Sequence, residues 1–156
     1  MTDETQVVDT TTEDAPAPTS IFALFGTDVD ASENGKWFHN FAGTGIDLKI
    51  TRFSSRKAQR ARLRAVESYK RFLKDGIFPD EINEKIAVEQ MANGVLVDWK
   101  NIFDDDGKEM PYSVATCKSL LAKLPELRLA IAGASLDMDN FRTETRNDVL
   151  GNSSST

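Results

Sequence analysis

The sequence predicts a small α+β domain, with an N-terminal β-hairpin, then about four amphipathic helices, and disordered termini. Apolar and polar residues alternate around position 48, which is typical of a strand with one buried face. From Ser55 onward the apolar residues recur about every 3.6 positions, as in helices with one buried side. Strands and helices are thus segregated along a chain of 156 residues, about one domain long.

Both ends of the chain have the composition of disordered tails. Residues 1–20 contain five acids, no Lys or Arg, and an Ala-Pro-Ala-Pro stretch, so they cannot bury a core. Residues 150–156 are almost entirely Gly, Asn, Ser and Thr. We therefore predict a single domain over residues 21–149, with order beginning near Ile21.

The predicted hairpin joins residues 36–41 to residues 46–53. In the second strand Ile46, Leu48 and Ile50 alternate with polar residues, which predicts one buried face. Gly43 and Gly45 lie between the strands, and no third glycine or Lys-Ser/Thr pair completes a nucleotide-binding motif. They are interpreted as turn residues.

The first long helix is predicted from Ser55 to the stop signal at Gly76. Its predicted inner side consists of Ala58, Ala61, Ala65, Tyr69 and Phe72. A second helix is predicted from Pro79 toward Trp99, because apolar residues follow one another there at i+4 spacing. Gly94, beside that stripe, would let a neighbouring element approach closely. The apolar stripe consists of Ala87, Met91, Val95 and Trp99.

Two further helices complete the predicted domain. Ser113 is a good N-cap for the third, and Pro125 a good first residue for the fourth. The preceding turn at residues 104–107 (DDDG) fails as an EF-hand loop, because Ile102 and Ser113 would occupy positions that require acids. The turn is interpreted as structural.

No group of residues suggests catalysis. The chain has one histidine, His39, and one cysteine, Cys117, which fall on different predicted elements and leave too few ligands for a zinc site. Cys117 is predicted to be a core residue, and Trp37 and Trp99 to be core anchors. We expect a non-catalytic protein without cofactor or metal.

The charge distribution is uneven. Residues 52–74 hold nine basic residues and one acid, about +8, which leaves about −14 for the rest of a chain with net charge −6. Such a helix could pair with the chain's own acidic segments, an acidic partner or phosphates. Its candidate binding residues are Arg56, Arg60, Arg64 and Arg71, docking an acidic partner or another copy of the chain.

The last helix is the first candidate for a protein-binding face, in the helix-in-groove manner. Its apolar residues recur at spacings of three and four, which would also suit an ordinary core. The candidate residues are Leu127, Ile131, Met138 and Phe141.

The order of features from Gly35 to Arg142 resembles the tail assembly chaperones of long-tailed phages. The most specific portion contains residues 97–102 (VDWKNI), the acidic turn, residues 110–113 (MPYS) and residues 124–127 (LPEL), in that order. The resemblance implies a non-catalytic protein that binds the tape measure protein and assists tail tube assembly. It also implies recruitment of the tail tube protein through a longer, frameshifted form.

No run of apolar residues approaches the roughly 18 that a membrane span requires, so we expect a soluble protein of the host cytoplasm. The resemblance implies that it is absent from the mature virion. A homo-oligomer would suit a long filamentous client. Two alternatives stay open. One is a structural tail or head-completion protein retained in the virion, and the other is a nucleic-acid-binding module using the basic helix 52–74, although the net negative charge argues against nucleic acid.

Overall fold

The computed structural model of the protein describes residues 17–143. The predicted C-terminal tail and most of the predicted N-terminal tail lie outside these residues. Residues 27–142 form one compact unit. The other unit contributes helix α1, Ile21–Phe25, which begins where order was predicted and is capped by Ser20, whose Oγ accepts a hydrogen bond from the backbone N–H of Phe22.

The compact unit begins with helix α2, Val29–Asn34, and strand β1, Lys36–Phe38. Strand β1 pairs antiparallel with β2, Asp47–Ile50, so the predicted hairpin is confirmed. Strand β1 is shorter than predicted because a 3₁₀ turn, Phe41–Gly43, occupies the connection, and β2 ends at Ile50 instead of Phe53. Leu48 and Ile50 are fully buried, as their alternation predicted.

The predicted second helix is wrong in its last part. Helix α4, Asp80–Gln90, continues into a π-helical turn, Met91–Val95, and the chain then enters strand β3, Leu96–Lys100. Strand β3 pairs antiparallel with β2 and completes a sheet of order β1-β2-β3. The helical spacing of the apolar residues is a local preference. It is outweighed here by the backbone hydrogen bonds that β3 forms with the otherwise open edge of β2, which depend on the tertiary fold.

Helix α3, Arg56–Tyr69, also ends earlier than predicted. Its start is confirmed, since Ser55 Oγ accepts a hydrogen bond from the N–H of Ala58. After Tyr69 the chain tightens into a 3₁₀ turn, Lys70–Phe72, and then a reverse turn in which Lys74 pairs with Ile77 around Gly76 at a φ of 77°. The helix therefore ends at Tyr69, before the predicted stop at Gly76.

The inner side of α3 is built from Ala58, Ala61 and Ala65, all buried. Small side chains let α3 lie close to the π-helical turn, where a Cβ added to Gly94 would come within 2.7 Å of Ala58 Cα and 2.8 Å of the Lys57 carbonyl oxygen. The close approach predicted for Gly94 is therefore confirmed.

The last helices are α5, Val114–Lys123, and α6, Pro125–Leu136, followed by a 3₁₀ turn, Met138–Phe141. Both predicted starts are confirmed, and Ser113 Oγ accepts a hydrogen bond from the N–H of Thr116. The described part of the chain thus has six α-helices and a three-stranded sheet, instead of a hairpin and about four helices, and the α+β class is confirmed.

The main core lies between the sheet and the helices. Cys117, Leu121 and Ile131 pack in the same cluster as Leu48 and the buried Trp99. Within residues 17–143, no helix has the length and apolar character needed to cross a bilayer.

The acidic turn before α5 is a structural turn, as predicted. The Asp104 carboxylate accepts hydrogen bonds from the backbone N–H groups of Asp106 and Lys108, and Gly107 supplies a φ of 78°. These hydrogen bonds satisfy backbone N–H groups of the turn. The positive φ at Gly107 is one that glycine adopts without strain.

Candidate protein-binding surfaces

Helix α6 carries apolar residues on both of its sides. Its inner side packs into the main core through Leu127, Ile131 and Ala134. On the opposite side, Leu129 and Leu136 are 66% and 59% exposed, and they lie seven residues apart on one face. Between them the run 129–136 (LAIAGASL) contains no charged residue. A surface helix ordinarily turns a polar face to water, so this face is unusual.

We call this surface the outer face of α6 and define it by Leu129, Ala130, Gly133 and Leu136, all exposed. A Cβ added to Gly133 would meet no atom within 4 Å, so the glycine leaves an open notch between the two leucines. Such a notch lets the backbone of another helix approach closely.

Two of the four candidate residues predicted on the last helix, Met138 and Phe141, lie beyond its end at Leu136, in the 3₁₀ turn, so that part of the prediction is wrong. Ile131 and Phe141 are fully buried and Leu127 is half-buried, while Met138 is exposed. On α6 itself, the spacing of Leu127 and Ile131 identified the side that faces the core. The outer face was missed, although the absence of charge across residues 129–136 was a signal for it in the sequence.

A second surface is the basic face of α3, which we define by Arg56, Lys57, Arg60, Leu63 and Arg64. All five side chains are exposed. Among residues 17–143, none of these basic side chains forms an ion pair within 4.0 Å. Three of the four predicted arginines therefore share one face. The fourth, Arg71, lies beyond the end of α3 with its guanidinium 4.8 Å from the ring centre of Phe72.

Helix α2 borders the basic face at its N-terminal end. The Glu33 carboxylate accepts a hydrogen bond of 3.0 Å from the backbone N–H of Arg56, at the positive end of the α3 dipole. A shallow, open cleft of about 370 Å³ lies here. It is lined by Glu33, Asn34, Arg56, Lys57, Arg60 and Arg64.

A larger open groove of about 530 Å³ lies along α4 and α5. Its walls carry both signs of charge, including an ion pair of 2.9 Å between Lys118 Nζ and Glu89 Oε2. Arg128 in the same groove donates from its guanidinium to the Leu121 carbonyl oxygen, 2.8 Å away. These contacts hold α4, α5 and α6 together along the groove.

The potentially reactive side chains of Cys117 and His39 belong to neither of these surfaces. Burial raises the pKa of the Cys117 thiol to about 12, so the predicted core role is confirmed and the thiol is unreactive. His39 is exposed, and its Nδ1 lies 3.3 Å from the Asp47 carboxylate. No cluster of three or more His, Cys, Asp or Glu side chains suited to a metal ion occurs in the described region.

The two tryptophans differ. Trp99 is buried, as predicted, and its indole N–H donates to the Met110 carbonyl oxygen, 2.7 Å away. Trp37 is half-buried, and Lys100 Nζ lies 4.6 Å from its ring centre. Only Trp99 is therefore a core anchor.

The fold and these surfaces define a small α+β protein with an apolar and a basic surface. A sequence model described as YdaY prophage protein matches residues 53–152, from the last residues before α3 to beyond the described region. The chain belongs to the YdaY prophage protein family, and is therefore a phage-related protein. Comparison with curated proteins gave no match, and comparison with solved structures gave none either.

Proposed function

We propose that this protein is a phage tail assembly chaperone, which binds the tape measure protein and assists assembly of the tail tube without catalysing a reaction. The observation that carries the proposal is the outer face of α6. Membership of a prophage protein family supports a role in the phage life cycle. The order of sequence features shared with tail assembly chaperones supports this particular role.

The outer face is suited to a helix of a client protein. Leu129 and Leu136 lie two turns apart, about 10 Å along the axis, which matches the spacing of apolar residues on an amphipathic helix. The notch at Gly133 lies between them and leaves room for the client backbone. Apolar residues of a long tape measure helix would bury themselves against this face instead of aggregating.

The size of the effect follows from the exposed leucines. Full burial of a leucine side chain stabilises by about 1.5–3 kcal/mol, and roughly 60% of each leucine is available here. Two such residues contribute about 2–3.5 kcal/mol to the binding of one client segment, or about a 30- to 300-fold change in affinity. A client helix engaged by several copies would gain further through avidity.

In this proposal the protein acts in the host cytoplasm and leaves the complex before the virion is complete. The tail tube protein is recruited by a longer, frameshifted form of the chain, as the resemblance implies. Detecting such a form by mass spectrometry of infected or induced cells would support this part. A chain retained at fixed stoichiometry in purified particles would instead favour a structural tail or head-completion protein.

The direct test is co-expression of the full chain with fragments of the tape measure protein, followed by sizing of the soluble complexes at low and high salt. We expect complexes that survive high salt, because apolar contacts do not depend on charge. The double variant Leu129→Gln/Leu136→Gln is expected to weaken binding at least tenfold while the protein stays folded, since both residues are exposed.

The matched control is Val29→Gln/Ile77→Gln, which removes two apolar side chains that are 68% and 69% exposed and lie on neither candidate surface. We expect it to retain the client. Equal loss of binding in both double variants would show that the outer face has no special role. Failure to retain any tape measure fragment would refute the chaperone proposal itself.

A further inference from the structure

We infer that the basic face of α3 is a docking site for an acidic, amphipathic helix of a partner protein. This site is separate from the outer face of α6 and does not depend on the chaperone proposal. It rests on the charge of the face, the spacing of its arginines, and the position of Leu63 among them.

The basic face carries a local charge that the fold does not neutralise. Residues 56–64 contain five basic residues and no acid. Two lysines outside this face form ion pairs at short distance, Lys70 with Glu67 at 2.6 Å and Lys118 with Glu89 at 2.9 Å. In a protein with a net charge of −6, an exposed basic strip without such pairing in the described region is complementary to an acidic ligand.

The arginine spacing suits a helical ligand. Arg56, Arg60 and Arg64 follow one another at intervals of four residues, so their guanidinium groups form a row about 12 Å long on one side of α3. Carboxylates at positions i, i+4 and i+8 of a facing helix form a row of the same length. Each arginine can then bind one carboxylate through two parallel hydrogen bonds.

Leu63 favours a protein over a nucleic acid as the occupant. This leucine is 69% exposed and lies beside Arg60 on the next turn, with Arg64 as its chain neighbour. A sugar-phosphate backbone offers nothing that would bury a leucine, whereas an amphipathic helix supplies an apolar side chain next to its acids. The partner is therefore expected to carry both kinds of residue.

A carboxylate at the N-terminal end of the strip supports the same choice. Glu33 lies there against the backbone of Arg56. It would repel a phosphate chain that continued past this end of the strip. A short acidic helix confined to the strip would avoid it.

The test uses the full-length protein and a synthetic helical peptide with Glu at positions i, i+4 and i+8 and a Leu beside the middle Glu. Comparison peptides replace the three Glu by Gln, or the Leu by Ser, and a duplex DNA serves as the phosphate probe. Binding is measured by fluorescence anisotropy at several salt concentrations. We expect the Glu-Leu peptide to bind best, with affinity that falls as salt rises.

Variants on the basic face provide the decisive comparison. Arg60→Gln is expected to weaken peptide binding about two- to fivefold, as one exposed ion pair would. Arg62→Gln removes the same charge from the flank of the same helix and is expected to change binding less than twofold. Leu63→Ser is expected to weaken binding of the Leu-bearing peptide about fivefold and to leave binding of the Ser-bearing peptide unchanged.

Several outcomes would overturn the inference. Tighter binding of DNA than of the peptide, with no effect of Leu63→Ser, would assign the face to nucleic acid. An equal effect of Arg60→Gln and Arg62→Gln would show that only total charge matters. A concentration-dependent dimer in sedimentation that Arg60→Gln abolishes, without peptide binding, would assign the face to a second copy of the chain. The absence of any binding would remove the site altogether.

Discussion

Replacement of Gly94 by alanine should destabilise the protein, although alanine is the better residue in a helix. Gly94 lies within the π-helical turn after α4, where its backbone is helical. Without a neighbour, alanine there would stabilise by about 0.5–1 kcal/mol. The added Cβ, however, would lie 2.7 Å from Ala58 Cα and 2.8 Å from the Lys57 carbonyl oxygen, both atoms of the α3 backbone.

The magnitude follows from the distance that must be opened. Carbon atoms pack at about 3.5–4.0 Å, so α3 would have to move by about 0.8 Å or more to accept the methyl group. Overpacking of this kind costs about 1–3 kcal/mol. The close atoms belong to the backbone, so no side-chain rotation relieves the contact.

Gly133 provides a matched control, because it is also a helical glycine but has no atom within 4 Å of an added Cβ. Gly133→Ala is expected to stabilise by about 0.5–1 kcal/mol. Urea unfolding followed by tryptophan fluorescence measures both variants, and their midpoints should differ by about 1–2 M. A Gly94→Ala variant as stable as the parent would refute the close approach between α3 and the π-helical turn.

Three further predictions concern single side chains. Cys117, whose burial raises its pKa to about 12, should react with a thiol reagent at neutral pH only as fast as the protein unfolds, as absorbance of the released chromophore would show. Trp99→Phe should destabilise by about 2 kcal/mol or more, measured by urea unfolding, because it leaves the Met110 carbonyl without its indole donor. The backbone N–H of Asn40 holds the pKa of Asp47 below its usual 3.8, so the stability that this carboxylate contributes is complete above that value and is lost as the pH falls through its folded-state pKa. Thermal melts of Asp47→Asn should accordingly show less acid sensitivity than those of the parent, and an unchanged acid profile would contradict this.

The helix starts could be predicted because each depends on a local signal. Ser55 and Ser113 cap their helices through their own hydroxyl groups, and Pro125 occupies a first-turn position. Such signals act within one turn of chain, and a sequence displays them directly. The hairpin was predictable for a similar reason, since Leu48 and Ile50 alternate with polar residues.

The third strand could not be predicted in the same way. Val95 and Trp99 are both buried and lie four residues apart, which fits a helix as well as a strand joined to a helical turn. What distinguishes the two is the antiparallel pairing of Trp99 with Leu48, a contact between residues 51 positions apart in the chain. The spacing of apolar residues around Trp99 does not indicate that Leu48 is its partner.

The candidate surfaces were predictable to different degrees. The basic face of α3 follows from charge and helical spacing alone, and Arg56, Arg60 and Arg64 are together as predicted. The apolar face of α6 required knowledge of which side meets the core. Periodicity detects an apolar stripe, but it cannot say whether Ile131 or Leu129 is the residue left in water.

The direct passage from the π-helical turn to β3 has a consequence for insertions and deletions. Val95 ends the helical turn and Leu96 begins the strand, with no connecting residue to absorb a change in length. One inserted residue would either rotate α4 by about 100° against its neighbours or exchange the buried and exposed faces of β3. We expect natural relatives to vary in length at the acidic turn around Gly107, and not at this junction.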